Sequence, residues 1–353
     1  MSQLFIRSGL LLTGLLLITV TTRAQSVPDT VNRGDLFATD DVLSFTLTAR
    51  MQAVVDDRAK PKADSLATKH PAQLTWSAAG DDPGAVPVSL LVRGNFRRNA
   101  TNCAFPPLYI DFPKKKVKGT PFVGQNKLKL VTHCQGEEYV AREYVVYQLY
   151  NRLTPISFRA RMARVSYVDS LGKRPPETRW GFLIEDEDAA AKRNGLREVK
   201  STVQTSEIDS MNGATMAVFE FMIGNIDWSI LYRHNIRLVA AADNDPPKAM
   251  PYDFDHAVIV DAPYASTADD EGQHIYRGAL YPGWLMKRVF ARFNDLKPQF
   301  YALYEQDKRL TRSYVKQTVK YLDKFYAIIN NPAQVKSYFF NGDTGGKLFA
   351  SFR

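Results

Sequence analysis

Three carboxylates in two short segments carry the clearest chemical potential in this chain. Asp227 lies in Gly224-Asn225-Ile226-Asp227-Trp228, and Met250-Pro251-Tyr252-Asp253-Phe254-Asp255-His256 follows, with Asp253 26 residues further on. All three sit among apolar residues, and burying a carboxylate is costly unless it is paired, hydrogen-bonded or bound to a cation. Phosphoryl transfer uses two such groups. One Asp positions an attacking hydroxyl or accepts its proton, and a second holds magnesium against nucleotide phosphates. Asp253 and Asp255 alternate about Phe254, so on a strand they would point to opposite faces. The spacing therefore expects only one of them, Asp253, at the site. His234 and His256 have no third ligand at fixed spacing and read as a packed and a surface histidine rather than a metal pair.

The elements that must position these groups are legible in part. Residues 25–88 are weakly patterned, apart from a strand-like alternation at Phe45–Ala49 and a Gly- and Asp-rich loop over 77–84. From Val86 the alternation sharpens: Val88, Leu90 and Val92, then Leu108, Ile110 and Phe112, then Lys127–Leu130, each bounded by Gly, Pro or Asn as strands are. Over Glu137–Leu153 the period changes, with Val140, Tyr144, Tyr147 and Tyr150 three or four apart on one helix face. Two more strands are expected at 163–168 and 179–184, and a short helix over 186–194 closed by Gly195. Beyond lie an apolar helix at 214–224 and a strand pair at 234–240 and 248–252, which 258–261 would extend. Long amphipathic helices are expected over 284–293 and 309–329. The order predicts an α+β chain with a boundary near 185–195.

Residues 1–24 read as a secretory leader. Arg7 gives a positive start, Leu10–Val20 an apolar stretch too short to span a bilayer, and Thr22-Arg23-Ala24 a small-residue cleavage pattern. The mature protein is thus expected to be secreted or periplasmic, with no transmembrane anchor after cleavage. In that setting Cys103 and Cys134, which flank two strands, are expected to form a disulfide, two free thiols being the alternative. The formal charge of +9 is spread along the chain. Its densest run, Lys114-Lys115-Lys116 with Lys118, has no interleaved aromatics and reads as a solvated turn, so no nucleic-acid partner is expected. No GxSxG, HExxH, CxxC or Walker A pattern occurs. Asp186 and Asp188 lie on an acidic turn without an aromatic platform, which argues against glycoside hydrolysis.

Taken in order, Arg93-Gly94-Asn95, the Lys-bearing strand near 127–130, the helix around Glu143–Leu149, Gly181–Asp186, Asn225-Ile226-Asp227 with Asn235, and Pro251–Asp255 resemble the spore coat protein H (CotH) kinase-like family. The resemblance covers roughly residues 88–262. It implies a protein kinase-like two-lobed fold, with a β-rich N-terminal lobe over 25–189 and a mainly helical C-terminal lobe over 190–353. It implies ATP and magnesium as cofactors and a phosphoryl acceptor, Ser or Thr, on an exported protein. By the same resemblance Asp227 is catalytic, and Asn235 and Asp253 hold the metal. Lys129 would meet the phosphates with Glu143 holding it, Glu185 would sit at the hinge, and Arg93 would lie in the nucleotide site. The glycine-rich loop GxGxxG is missing, and the Asp227–Asn235 interval is eight where the usual catalytic loop has five. The alternative function is a catalytically inactive binding or structural protein of the cell envelope on the same scaffold.

Overall fold

Alternating residues of three neighbouring strands feed two different cores, and this division organises the molecule. The structure, a computed structural model, describes residues 1, 35–59, 68–77, 83–265 and 274–340. The leader read over residues 1–24 therefore lies outside the described residues apart from Met1, as does part of the loop read over 77–84. The described residues from 35 onward belong to one compact unit.

In chain order the elements are β1 (Leu43–Ala49), α1 (Met51–Asp56), β2 (His70–Trp76), β3 (Gly84–Val92), β4 (Leu108–Asp111), β5 (Lys127–Val131), α2 (Glu137–Leu153), β6 (Ala160–Asp169), β7 (Glu177–Ile184), α3 (Glu187–Arg193), β8 (Arg197–Glu198), α4 (Ser210–Ile223), β9 (Ile236–Ala240), β10 (Lys248–Pro251), α5 (Gly283–Glu305), α6 (Arg312–Ile329) and α7 (Pro332–Phe339). The first seven strands close into a barrel in the order β1-β2-β3-β4-β5-β7-β6. Neighbours are antiparallel except at the seam, where β1 runs parallel to β6 from Leu43↔Ala163 to Ala49↔Asp169. A second sheet has the order β10-β9-β8.

The closed barrel corrects the expectation of a protein kinase-like two-lobed fold. Period-two patterning locates strands, but it carries no information on whether a sheet closes. The strands that complete this barrel, β1 and β2, fall in the stretch read as weakly patterned. Pro71 and Gln73 blur β2. The barrel interior is filled by Phe45, Leu47, Leu74, Val88, Leu90, Ile110, Leu128, Val165 and Leu183 among others. On β6 and β7 the opposite face, Met162, Phe182 and Ile184, packs outward against α2, α4, α5 and α6 in a second continuous core. That core runs straight across the boundary expected near 185–195. The stretch 258–261 is a turn rather than a strand. It is pinned to the end of α4 by Val258 N–H to Gly224 O and Ile259 N–H to Ile223 O.

Cys103 and Cys134 form the expected disulfide. It ties the long loop after β3 to the segment between β5 and α2. Closing a loop across a separation of 31 residues removes denatured-chain entropy worth about 3.7 kcal/mol in the entropy model. A Cys103→Ser, Cys134→Ser double variant is therefore expected to unfold at markedly lower urea than the wild type, with a slope no shallower, because the uncrosslinked denatured chain exposes at least as much surface. An unmoved midpoint would show that the bridge constrains nothing. None of the described helices is long and apolar enough to cross a membrane. Lys114, Lys115, Lys116 and Lys118 are exposed on a turn.

Candidate functional site

Most of the groups singled out in the sequence meet where the loop after β3, the outer face of β4 and β5 and the second sheet face one another. The two acidic segments reach this place by different routes. Helix α4 starts on Asp209, whose side chain accepts from Asn212 N–H, and stops at Gly224 in the left-handed region (φ 70°). An added Cβ at Gly224 would lie 2.8 Å from the Cβ of Val258, so only glycine permits this close reversal. The chain then turns through Asn225, whose Oδ1 accepts from Asp227 N–H at 3.0 Å. Asp227 is held on both sides. His234 Nε2 lies 2.8 Å from its Oδ1, and Asn235 Nδ2 donates to its Oδ2 at 3.0 Å and to its backbone carbonyl at 2.8 Å. His234 is thus a partner of Asp227 rather than a packed core residue.

The second segment leaves β10 at Pro251 and does not continue as a strand. Asp253 adopts φ 63° and leads into a single 3-10 turn over Phe254–His256, with its N–H donating to the Tyr147 hydroxyl at 3.0 Å. This corrects the expectation that Asp253 and Asp255 face apart. The turn brings both carboxylates onto one guanidinium, that of Arg97, with Nη2 to Asp253 Oδ1 at 3.0 Å and Nε to Asp255 Oδ2 at 3.0 Å. Arg97 also reaches Glu143 Oε2 at 3.3 Å. Glu143, Asp253 and Asp255 each present an oxygen within 4.8 Å of the others. Arg97, Glu143 and Asp255 are buried. Burial pushes the Glu143 and Asp255 carboxyls up, more than Arg97 can offset. Burial acts the same way on Asp253, but Arg97, Arg93 and Lys129 together hold it below the usual range. The far oxygen of Glu143, Oε1, is buried with no hydrogen-bond partner.

Beside this acidic group lies a cationic wall. Lys129 donates to Glu187 Oε1 at 2.8 Å and Arg237 to Glu187 Oε2 at 2.7 Å. Both cations stack on the Tyr252 ring, with centroid distances of 4.6 and 4.8 Å. Burial lowers the Lys129 ammonium, with Glu187 opposing the shift. Burial works against the Glu187 carboxylate, but Lys129 and Arg237 overcome it and bring the group down to about 2. Arg93 stands over Tyr109, and its buried Nε has no hydrogen-bond partner. The cleft so formed has a volume of about 440 Å³ and is lined by Arg93, Arg97, Arg98, Lys129, Arg233 and Arg237 against Asp227, Asp253 and Asp255. Three of its residues, Arg233, Asn235 and Asp253, hold positive φ without being glycine. Such backbone strain is found where surrounding structure over-determines a functional geometry.

Of the residues named from the sequence, Arg93, Lys129, Asp227, Asn235 and Asp253 line this cleft. Glu143 lies against its acidic corner. Glu185 is elsewhere, in an ion-pair network with Arg159 and Arg193. Lys129 is held by Glu187 instead of Glu143, whose cationic partner is Arg97. The Asn235 amide nitrogen braces Asp227. Arg97, Glu187 and Arg237 carry no signal of this role in the sequence. Asp255 was within reach, since it stands two residues from Asp253, but treating the segment as a strand removed it. No protein-family model matches the chain, and no curated protein matches it.

Proposed function

We propose that the cleft binds a nucleoside triphosphate with magnesium and transfers its terminal phosphoryl group to a hydroxyl on an exported protein or envelope component. The observation that carries this reading is the juxtaposition, in one cleft, of a cationic wall with an acidic corner. Phosphoryl transfer needs chiefly positioning and charge neutralisation. Arg93, with its unpartnered Nε, and Arg237 would receive phosphate oxygens, and Lys129 would add a third charge once drawn from Glu187. Magnesium, which takes few protein oxygens and leaves the rest to phosphate and water, would be held at Asp253. Asp227, oriented by His234 and Asn235, would align the acceptor hydroxyl and take its proton. The disulfide supports an oxidising compartment, and with the leader read in the sequence it favours export to the periplasm or beyond.

A second reading, ligand binding without turnover, is favoured by one observation: Arg97 already fills the acidic corner where a cation would act. The test is thermal unfolding of the protein with and without magnesium and ATP, beside Asp253→Ala. A ligand at about 100 times its Kd adds roughly 2.7 kcal/mol to stability. The expected result is a magnesium-dependent rise in the wild type that the variant lacks. No shift at millimolar ATP, with both proteins folded, would sink the nucleotide reading.

A further inference from the structure

We infer that Glu143, Asp253 and Asp255 form a divalent-cation site for which the Arg97 guanidinium is the built-in competitor, so that the ion binds by exchanging with this side chain. The inference deepens the phosphotransfer reading and rests on it for what the bound ion does, though not for the binding itself.

Three carboxylates share one guanidinium here, and the guanidinium neutralises only one of them. With all three ionised, the remaining negative charge is costly to bury unless another cation compensates it. The Glu143 side chain, 2% exposed, leaves Oε1 without a partner. That is a hard oxygen donor in a corner whose other occupants are also carboxylates. The three ligand oxygens lie within 4.8 Å of one another. Oxygens on opposite sides of a magnesium or calcium coordination sphere, at roughly 2.0–2.6 Å from the ion, are about 4–5 Å apart. The corner is therefore sized for an ion after small rotations.

The ligands and the competitor are mounted differently. Glu143 projects from the middle of the 17-residue α2, and Asp253 is fixed by its N–H bond to Tyr147. Arg97 comes from the irregular stretch 93–107. Its neighbour Arg98 anchors the backbone by donating to the carbonyls of Arg58, Asp57 and Val92. Exchange thus needs rotation of one side chain, with the loop left in place. The released guanidinium would still border the cleft, where it could meet a phosphate in the forked geometry arginine favours.

The test is calorimetric titration of the whole protein with Mn²⁺ alone, without nucleotide, beside Arg97→Lys and Glu143→Gln. Lysine keeps the charge but cannot bridge three carboxylates as a planar fork does, so it competes less well. The expected result is one ion bound to the wild type, with affinity at least 10-fold tighter in Arg97→Lys and at least 10-fold weaker in Glu143→Gln. Equal affinity in wild type and Arg97→Lys would overturn the exchange. Binding untouched by Glu143→Gln, or absent from all three folded proteins, would overturn the site. Loss of Mn²⁺ binding with a magnesium-ATP shift intact would sink this inference and leave the phosphotransfer reading. The converse result would sink that reading and leave the cation site.

Discussion

Truncating Arg97 to alanine is expected to cost about 3–5 kcal/mol of folding free energy near pH 8, the range for removing one partner of a buried ion pair. The loss comes less from the missing contacts than from what remains. Glu143 and Asp255 stay buried, at 1% and 4% exposure, with no cation between them and Asp253. The sign with pH follows from the same charges. Burial already raises the Glu143 and Asp255 carboxyls, and without the guanidinium that opposes it they titrate higher still in the folded chain than in the unfolded one. The folded state then holds extra protons, and stability falls as pH rises. The deficit against wild type should therefore be small near pH 4.5, where unfolded carboxyls also take up protons, and should grow toward pH 8. Urea midpoints of the two proteins at both pH values provide the measurement. A deficit under about 1 kcal/mol at pH 8 would mean that the corner is solvated and its carboxylates are not in need of Arg97.

The second large effect concerns Glu220, which lies on α4 seven residues before Asp227. Its side chain is 1% exposed, and neither carboxylate oxygen has a partner in hydrogen-bonding geometry. Burial pushes this carboxyl up to about 8. The nearby Asn225 amide offsets part of the shift, and the charge of Asp227 adds to it. A folded pKa raised from the ordinary value of 4.5 means that the contribution of the protonated form is complete below 4.5. Its contribution is lost as pH rises through about 8, at about 1.4 kcal/mol per pH unit between the two. Glu220→Gln cannot ionise. It is expected to match or fall slightly below wild type at pH 5 and to exceed it by several kcal/mol at pH 8.5. A wild-type-to-variant difference that stays flat across this range would show that Glu220 is not protonated in the folded protein. Glu143 and Asp255 titrate in the same direction, so only the difference between the two proteins isolates Glu220.

Much of the local structure could be read from residue spacing, and most of the partnerships could not. Helix α2 spans the residues its 3.6-residue periodicity indicates, and β4, β5 and β7 fall within a residue or two of the alternating runs. The apolar residues that set these patterns are buried, so hydrophobic pattern and structure coincide, although α2 and β7 also bury residues on their other faces. Barrel closure depends on β1 meeting β6, residues far apart in the chain, and neither strand's pattern names its neighbour. At the site, Asp227 and Asp253 were recognisable because carboxylates among apolar residues demand a reason. Arg97 gave no such signal: an arginine in a polar loop is ordinary until the fold buries it. The pairing of Lys129 with Glu187 and of Glu143 with Arg97 was decided by which elements cross in space. Asp255 was lost through one assumption, that a strand continues past Pro251, when the chain turns left-handed at Asp253.

The parallel seam of the barrel also imposes a schedule on its assembly. Leu43 pairs with Ala163 and Ala49 with Asp169, so one edge of the first strand has no mate until a further 120 residues have been synthesised. At ribosomal rates that wait is roughly 6–24 s. During it the nascent chain can zip β1 to β2 and β2 to β3, but it keeps a bare backbone edge of the kind that recruits other chains. Such long-range pairing makes for slow folding. The seam's partner β6 arrives only after the α2 helix, and the last stitch is made by β7, which follows β6 in the chain and joins it to β5, so the barrel stays open to interception by a chaperone until then.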